Sequence, residues 1–304
     1  MLDSLDPRTL DTRERARPDE RHADVLEPQA ALAAGLDLPR GLDREHVHVH
    51  DHDYDLRGSE VRTLATVGAF RVVAVDDLRE RSGRAADLWH GDLERLRASG
   101  LIRTVAPVDR GDRQRTTLVT LTKRGRELLE SHRSPEHEPR QAFYSEVAKP
   151  RELAHDAQLY RAYLRAAERL HANGARVGRV VLDHELKREY QRFLQERNRG
   201  RSDSDGRPAR SPEEVRDWAD GHHLPIVDGR VQFPDFRIEH EWPDGRHDVE
   251  DIEILTPHYR GAHAAAKARS GFTSFRSRGS RVGGRSGYRG SRSRDAHLAE
   301  EFLD

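Results

Sequence analysis

Two acidic side chains in the C-terminal third of the chain stand where a pair of strands would bring them together. Asp235 begins one run of alternating apolar residues, and Glu253 lies within the next, between Ile252 and Ile254. The intervening Pro243-Asp244-Gly245 is typical of a hairpin turn, so the two strands are expected to be neighbours. Paired carboxylates suit Mg²⁺ or Mn²⁺, which take hard oxygen ligands. The spacing therefore indicates the smallest set of metal ligands that metal-assisted phosphodiester hydrolysis requires.

The strand that carries Glu253 is crowded with acids, since Glu250 and Asp251 precede it. The site assignment could therefore shift from Glu253 to Asp251. Glu253 is favoured if Ile252 and Ile254 face the core, because a register slip of a single residue turns every side chain of a strand over.

The sequence Pro234-Asp235 followed by Glu253 resembles the core of PD-(D/E)XK nucleases. That resemblance implies a restriction-endonuclease-like αβ core in which Asp235 and Glu253 bind Mg²⁺ or Mn²⁺ and carry catalysis. It also implies a further acid on the preceding helix, where Glu185 and Glu189 stand one turn apart on the same face. We assign Glu185 to the metal and Glu189 to catalysis.

One position departs from the pattern of that family. The lysine expected two residues after Glu253 is Leu255. In some members of the superfamily the lysine function moves to the following helix, where this chain has Lys267. The resemblance then implies that Lys267 stabilises the charge developing on the phosphate or orients the attacking water. The alternatives are that Lys267 is a surface lysine and that the fold has lost catalysis and kept its DNA-binding shape.

Residues 57–133 show helix and strand signals in the order of a winged helix-turn-helix. Three predicted helices, the first capped by Ser59, are followed by two strands around a basic loop and by a further helix. In such a domain the third helix enters the major groove of DNA and the wing contacts phosphates. The stretch Leu121–Leu128 is similar to the end of the wing in MarR-like regulators. The predicted elements are residues 59–70, 75–81, 84–99, 101–108, 116–121 and 122–129, and the candidate DNA contacts are Arg81, Arg84, His90, Arg110, Arg113 and Arg115.

A long amphipathic helix is predicted over residues 152–172, with His155-Asp156 in its first turn. Asp156 is expected to interact with the helix dipole and His155 to be partly buried; a polar functional site is the alternative. A winged helix, this helix and the acidic core, in that order, also resemble the replication-relaxation proteins of plasmids and other mobile elements. That resemblance covers residues 57–275.

The predicted elements and the family resemblance indicate an α+β or α/β protein, and the composition predicts disordered tails. The 304 residues are 35% hydrophobic and 35% charged, which is low in apolar residues for a single compact globule. We expect a largely disordered acidic and His-rich lead-in over residues 1–56, the winged helix over 57–133, a linker over 134–150, the PD-(D/E)XK-like domain over 151–275 and an Arg/Gly/Ser-rich tail over 276–304.

Residue usage excludes several classes of site. The chain has no cysteine, which removes thiolate zinc sites, disulfides and cysteine nucleophiles together. No stretch approaches the roughly 18 apolar residues of a membrane span, so we expect a cytoplasmic protein. The net charge is −1 because a basic tail is balanced by acidic regions elsewhere in the chain. The arginines of this tail would release counterions on binding nucleic acid.

The lead-in also carries His46, His48, His50 and His52 in alternation. On an extended segment these imidazoles would share one edge, which suits Zn²⁺ or Ni²⁺. A solvated polar segment is the favoured interpretation, because a structural zinc site normally draws its ligands from a folded framework. We therefore assign no metal site there.

Three functions follow from these features. The first is a mobile-element protein that binds double-stranded DNA and cleaves it with Mg²⁺ or Mn²⁺ as cofactor, as an endodeoxyribonuclease. The second is a replication initiator or transcription regulator without catalysis, built on a degenerate nuclease fold. The third is an adaptor whose winged helix contacts proteins alone. Because winged-helix regulators commonly dimerise, a second copy of the chain is a further expected partner.

Overall fold

The computed structural model describes residues 28–78, 86–105, 117–146, 153–199, 207–208, 210–255 and 262–276. Helices α1 to α8 are Pro28–Ala33, Gly58–Phe70, Ala86–Ala98, Lys123–Ser131, Leu153–Ala172, Asp183–Gln195, Pro212–Gly221 and Ala262–Arg269. Strands β1 to β11 are Glu45–Val49, His52–Leu56, Val73–Ala74, Ile102–Val105, Leu118–Leu121, Arg176–Leu182, Ile226–Val227, Arg230–Val231, Phe236–Glu241, His247–Leu255 and Thr273–Arg276. The protein is therefore of mixed α+β class.

The first long helix, α2, begins differently from the sequence prediction. Its N-cap is Arg57, and the Glu60 side chain accepts a hydrogen bond from the Arg57 backbone N–H at 3.1 Å. Ser59, the predicted cap, instead donates to Asp92 of α3 at 2.6 Å. Asp92 is 2% exposed and also accepts from the Arg57 guanidinium at 3.0 Å. The prediction that Ser59 caps α2 was wrong because Ser59 and Arg57 together satisfy a buried carboxylate.

A three-stranded antiparallel sheet of order β3-β5-β4 follows α2. Strands β4 and β5 lie within the predicted pair, and α4 begins at the predicted cap, since Thr122 Oγ1 accepts from Gly125 N at 3.2 Å. The predicted helix over residues 75–81 contains a short 3-10 helix, Val75–Leu78. Strand β3 has two residues, too few for a periodic signal in the sequence.

The second sheet has four strands in the order β11-β10-β9-β6. Strands β6, β9 and β10 are antiparallel, and β11 runs parallel to β10 after the crossover helix α8. The hairpin between β9 and β10 turns at the predicted position, where Gly245 has a φ of 81° that glycine adopts without strain. The side chain of Gln141 pairs with the outer edge of β6, through bonds of 2.9 and 2.8 Å with the Val180 backbone.

The predicted alternation of the hairpin is confirmed. Ile252 and Ile254 are at most 1% exposed and lie in the same core as α5. The other face of the sheet carries Val181, which packs with residues of α6 and α7 such as Leu186 and Ala219. Because Ile252 and Ile254 face the α5 side, Glu253 points to the α6 side. This is the register on which the assignment of Glu253 depended.

The two halves of the chain share one hydrophobic core, in contrast to the two domains joined by a linker that the sequence suggests. Phe70 of α2 contacts Tyr160, Tyr163 and Phe236, with ring centroids 5.3, 5.1 and 6.2 Å away. Within the predicted linker, Phe143 is 2% exposed in this core. Residues 141–146 therefore contact strands of both sheets, through Gln141 with β6 and Glu146 with β5, instead of separating them.

The prediction of a largely disordered lead-in over residues 1–56 was wrong for residues 28–56. These residues form α1 and the β1–β2 hairpin, and Leu32, Val47 and Leu56 are at most 5% exposed in the shared core. The segment is rich in charge and histidine, yet its few apolar residues recur at every second position of β1, where they meet the core. Residues 1–27 and 277–304 lie outside the described part of the chain.

Candidate active site

A polar cluster lies at one end of the four-stranded sheet, where β6 ends, β9 begins and β10 ends. Asp235 stands at this junction, immediately before β9. Its backbone N–H donates to Ile252 O at 3.0 Å, and its carbonyl accepts from Asp183 N at 3.0 Å. Its side-chain Oδ2 accepts from Ile254 N at 2.7 Å. Main-chain groups of two elements, β10 and the start of α6, therefore fix the position of Asp235, as the predicted strand pairing requires.

Glu253 and Lys267 form a buried ion pair beside Asp235. The Lys267 Nζ atom lies 2.7 Å from Glu253 Oε2, and the two side chains are 10% and 3% exposed. Lys267 also donates a hydrogen bond to the backbone carbonyl of Phe233. Such burial is tolerated because each charge faces an opposite charge and Lys267 makes a further hydrogen bond. Lys267 is thus a buried partner of Glu253, and the alternative of a surface lysine is wrong.

His155, in the first turn of α5, completes the cluster. Its Nε2 lies 3.3 Å from Asp235 Oδ2, and its Nδ1 lies 3.5 Å from Asp156 Oδ1. Burial lowers the pKa of His155, but hydrogen bonds to Asp156 and Asp235 and their negative charges outweigh it and raise the pKa to about 10. The imidazole is therefore a cation at neutral pH. His155 is partly buried and Asp156 lies in the first turn of α5, as expected, and a functional role for the pair stays a prediction.

Asp235 is held in its ionised form despite its burial. Burial alone would raise the pKa of Asp235, but the hydrogen bond and charge of His155 lower it, as do the Ile254 N–H and the charge of Lys267. The cluster therefore contains two carboxylates, Asp235 and Glu253, and two cationic groups, Lys267 and His155. The four charges come from three elements and one strand junction that are distant in sequence.

The charge of His155 predicts a pH dependence of stability. Its pKa is about 10 in the folded protein and about 6.5 in an unfolded chain, so its stabilising effect is complete below about pH 6.5 and is lost as pH rises through 10. We expect the difference in unfolding free energy between the wild type and a His155→Gln variant to shrink as pH rises over this range. Urea unfolding at a series of pH values measures the difference, and a constant value would contradict the charge assignment.

The two acids predicted on α6 have other partners. Glu185 accepts a hydrogen bond from Leu182 N at 3.3 Å and so caps the start of α6. The carboxylate of Glu189 lies 3.2 Å from His222 Nε2. The structure does not join either acid to the cluster by a described contact. Their predicted roles in metal binding and catalysis therefore stay predictions.

The alternative acid, Asp251, is engaged in a separate ion pair. Arg237 donates to both oxygens of Asp251 at 2.7 and 2.9 Å, and it also donates to the carbonyls of His222 and His223. Arg237 is 5% exposed, so this bidentate pair is a buried structural contact between β9, β10 and the end of α7. The sequence did not predict the ion pair between Arg237 and Asp251. The partner of an arginine on a strand depends on register, which is known once the hairpin is formed.

The donor set suits a hard divalent cation. Asp235 and Glu253 offer anionic oxygens from neighbouring strands, and Mg²⁺ is commonly bound through one or two carboxylates, with water and phosphate oxygens completing its shell. Across residues 28–276, in the stretches that the structure describes, no group of three or more His, Asp or Glu side chains is arranged to hold a metal ion. A bound Mg²⁺ or Mn²⁺ would use the carboxylates of Asp235 and Glu253. It would compete with His155 and Lys267 for them.

The predicted DNA contacts fall on parts of the chain that are not described. Arg81, Arg84, Arg110, Arg113 and Arg115 lie outside the described residues, and so does the side chain of His90, whose backbone belongs to α3. The predicted DNA-binding surface therefore rests on the order of the elements that carry it.

No family model, no curated protein and no solved structure matches this chain. Among the described helices, none combines the length and the apolar character needed to cross a membrane. The functional argument therefore rests on the geometry of the site.

Proposed function

We propose that the protein is a metal-dependent endonuclease that binds double-stranded DNA of a plasmid or other mobile element. The observation that carries the proposal is the contact between Lys267 and Glu253 beside Asp235. An acid before β9, an acid on β10 and a lysine meet at one end of the sheet. The lysine comes from the helix after β10. It supplies the positive charge that the family pattern places two residues after Glu253, where this chain has Leu255.

The sheet order supports a PD-(D/E)XK-like core. Antiparallel β6, β9 and β10 are followed by a helix and by β11 parallel to β10. This topology puts the start of β9 and the end of β10 at the same end of the sheet. The helix that follows β10 then returns across the sheet and can reach that end, as Lys267 of α8 does.

Each group of the cluster has a chemical role in this proposal. Mg²⁺ or Mn²⁺, when bound by Asp235 and Glu253, polarises the scissile phosphate and activates water. Lys267 lies where it can stabilise the negative charge that develops on the phosphate oxygens. His155 holds Asp235 in its ionised form, so Asp235 remains an oxygen ligand at neutral pH.

The N-terminal half supports a role in DNA binding. The elements from α2 to α4 follow one another as helix, strand, 3-10 helix, helix, two strands and helix. This is the order of winged helix-turn-helix domains, in which the helix equivalent to α3 enters the major groove. Electrostatic contacts from the wing arginines would then weaken with salt.

A non-catalytic regulator or replication initiator is the second candidate. It is favoured by the pairing of both carboxylates with cations, His155 on Asp235 and Lys267 on Glu253. If these ion pairs do not open for a metal, the cluster would only stabilise the fold. Duplex binding would then remain without cleavage.

Incubation of supercoiled plasmid with the full chain and Mg²⁺ or Mn²⁺ tests the proposal. We expect metal-dependent nicking, reduced by about 100-fold or more in Asp235→Asn and in Glu253→Gln, because each substitution removes an anionic metal ligand. Asp228→Asn is the matched control, since Asp228 is an exposed acid paired with Arg269 and should leave cleavage unchanged.

Duplex binding measured over a range of salt concentrations completes this test. Intact plasmid together with salt-dependent binding would replace the nuclease by the regulator. Intact plasmid without binding would leave the protein-contacting adaptor.

A further inference from the structure

Arg71, the residue that follows α2, has an unusual backbone conformation. Its φ is 63° and its ψ is −50°, and the N–H of Val72 donates to the carbonyl of Phe70 at 2.6 Å across it. A γ-turn of this hand is rare, and it is strained for a residue other than glycine. Because glycine would adopt this turn without strain, the presence of a long cationic side chain indicates a role for the side chain itself.

An aromatic ring holds the guanidinium group of Arg71. The Cζ atom of Arg71 lies 5.5 Å from the centroid of the Tyr144 ring, within the range of a cation–π interaction. The Tyr144 ring meets the His184 ring edge-on, with centroids 4.5 Å apart. An aromatic face orients a guanidinium group and leaves its charge in place, so Arg71 can still attract an anion.

A second arginine, Arg188, lies on α6 one helical turn after His184, so the Cβ atoms of these two residues are about 6 Å apart. Arg188 is exposed, and Arg71 is partly exposed. Burial, and then the charges of Arg71 and Arg188, lower the pKa of His184 to about 4. The imidazole is therefore neutral at pH 7, and two positive charges act on the same ring.

The carboxylates at the start of α6 have other partners. Asp183 Oδ2 accepts from Lys187 Nζ at 2.7 Å, and Glu185 accepts a backbone hydrogen bond at 3.3 Å. Over the stretches of chain that the structure describes, neither Arg71 nor Arg188 forms an ion pair with a carboxylate. Both guanidinium groups can therefore pair with an anion from solution.

The two arginines lie beside the candidate active site. The helix of Arg188 begins at Asp183, whose backbone N–H donates to Asp235 O at 3.0 Å. The valine that follows Arg71 belongs to one buried cluster with residues at the start of α5, the helix that carries His155. Arg71 comes from the N-terminal half of the chain and Arg188 from the C-terminal half, so the pair lies where the two halves meet.

We propose that Arg71 and Arg188 bind a backbone phosphate of duplex DNA beside the candidate active site. Guanidinium groups suit phosphate because they stay charged and present paired N–H donors to its oxygens. A phosphate bound here would position the strand that passes the sheet-end carboxylates, whatever its base sequence. This inference rests on the proposed function, since the ligand is the DNA on which that function acts.

Fluorescence anisotropy of labelled duplexes, with the full chain and without divalent metal, tests the site over a range of salt concentrations. We expect Arg71→Gly and Arg188→Gln each to weaken binding by about 10-fold at about 0.1 M salt. Each should also reduce the slope of log affinity against log salt concentration by about 1, because one phosphate contact is lost. The loss should be equal for two duplexes of unrelated sequence, since phosphate contacts do not read bases.

The Arg71→Gly variant separates a binding role from a structural one. Glycine adopts a φ of 63° without strain, so the urea midpoint should be unchanged or higher while DNA binding becomes weaker. Arg71→Lys keeps the positive charge and should keep the salt slope. A lower urea midpoint in Arg71→Gly together with an unchanged salt slope would make Arg71 a structural residue and overturn the proposal.

Arg246→Gln is the matched control, because it removes an exposed arginine from the turn at the opposite end of the same sheet. An equal loss in this control, unchanged slopes in Arg71→Gly and Arg188→Gln, or no duplex binding by the wild type would each overturn the proposal.

Plasmid cleavage by the wild type distinguishes a failure of this inference from a failure of the nuclease. A wild type that cleaves, with both variants binding normally, would overturn the phosphate site alone. A wild type that binds without cleavage, with weaker binding in both variants, would support the phosphate site and contradict the nuclease.

Discussion

Replacing Lys267 with alanine is expected to lower the free energy of unfolding by about 3–5 kcal/mol. The physical reason is the burial of Glu253, which is 2% exposed and would lose the opposite charge that lies 2.7 Å from its Oε2. Removing one partner of a buried ion pair costs far more than the intact pair contributes, because the opposite charge no longer offsets the desolvation of the remaining charge. Urea unfolding followed by circular dichroism measures this loss.

Two comparisons make the interpretation specific. Lys187→Ala removes an exposed lysine that pairs with Asp183 one helical turn away, and it should cost less than about 0.5 kcal/mol. The double variant Glu253→Gln/Lys267→Met should recover most of the stability lost in Lys267→Ala, because both charges are removed together. A Lys267→Ala variant as stable as the wild type would mean that Glu253 is solvated in solution.

The same variants separate stability from catalysis. If the proposed nuclease function holds, the double variant should be folded and without cleavage activity, since it lacks an anionic metal ligand and the lysine. Cleavage at the wild-type rate by this variant would place the chemistry elsewhere in the chain.

Replacing Phe70 with alanine is expected to cost about 3–5 kcal/mol and to destabilise both halves of the protein together. Phe70 is fully buried, and its ring packs against Tyr160, Tyr163 and Phe236 from the C-terminal half. The cavity left by the substitution would lie where the two halves meet. Hydrogen exchange followed by mass spectrometry should show α2 and β9 losing protection to the same extent.

Leu42→Ala serves as the control, because Leu42 is 88% exposed and its truncation leaves no cavity. If Phe70→Ala reduced protection in α2 and left β9 unchanged, the two halves would be independent domains, as the sequence suggested. Equal loss in both halves would establish one cooperative unit. The N-terminal half and the candidate active site would then be coupled through a common core.

An alternative to a metal-dependent nuclease is cleavage by a tyrosine nucleophile, as in tyrosine relaxases, for which the sequence offers Tyr160, Tyr163 and Tyr190 on helices. Tyr160 and Tyr163 are fully buried in this core, and the hydroxyl of Tyr163 donates to the carbonyl of Pro28 at 2.6 Å. Neither can reach a DNA backbone in this fold. Cleavage through a tyrosine nucleophile on α5 is therefore excluded by their positions.

The sequence by itself determined the local elements. Helix α5, the β9–β10 hairpin and the cap of α4 at Thr122 follow from apolar periodicity, turn chemistry and capping residues. The alternation of Ile252 and Ile254 placed Glu253 on the opposite face. These inferences succeeded because each depends on residues within one or two turns or strands of one another. Lys267 was implied by the family resemblance, and its catalytic role stays a prediction.

The tertiary structure alone decided the contacts between distant elements. His155 and Asp235 are separated by most of the C-terminal half, and their contact depends on how α5 crosses the end of the sheet. The burial of Phe143 in a segment rich in charge and proline depends on packing. The separation of His52 from His46 and His48, which lie on the other face of the hairpin, depends on the strand register. Sequence periodicity reports which face of an element is apolar. It does not report which element covers that face, because that choice is made by the whole chain as it folds.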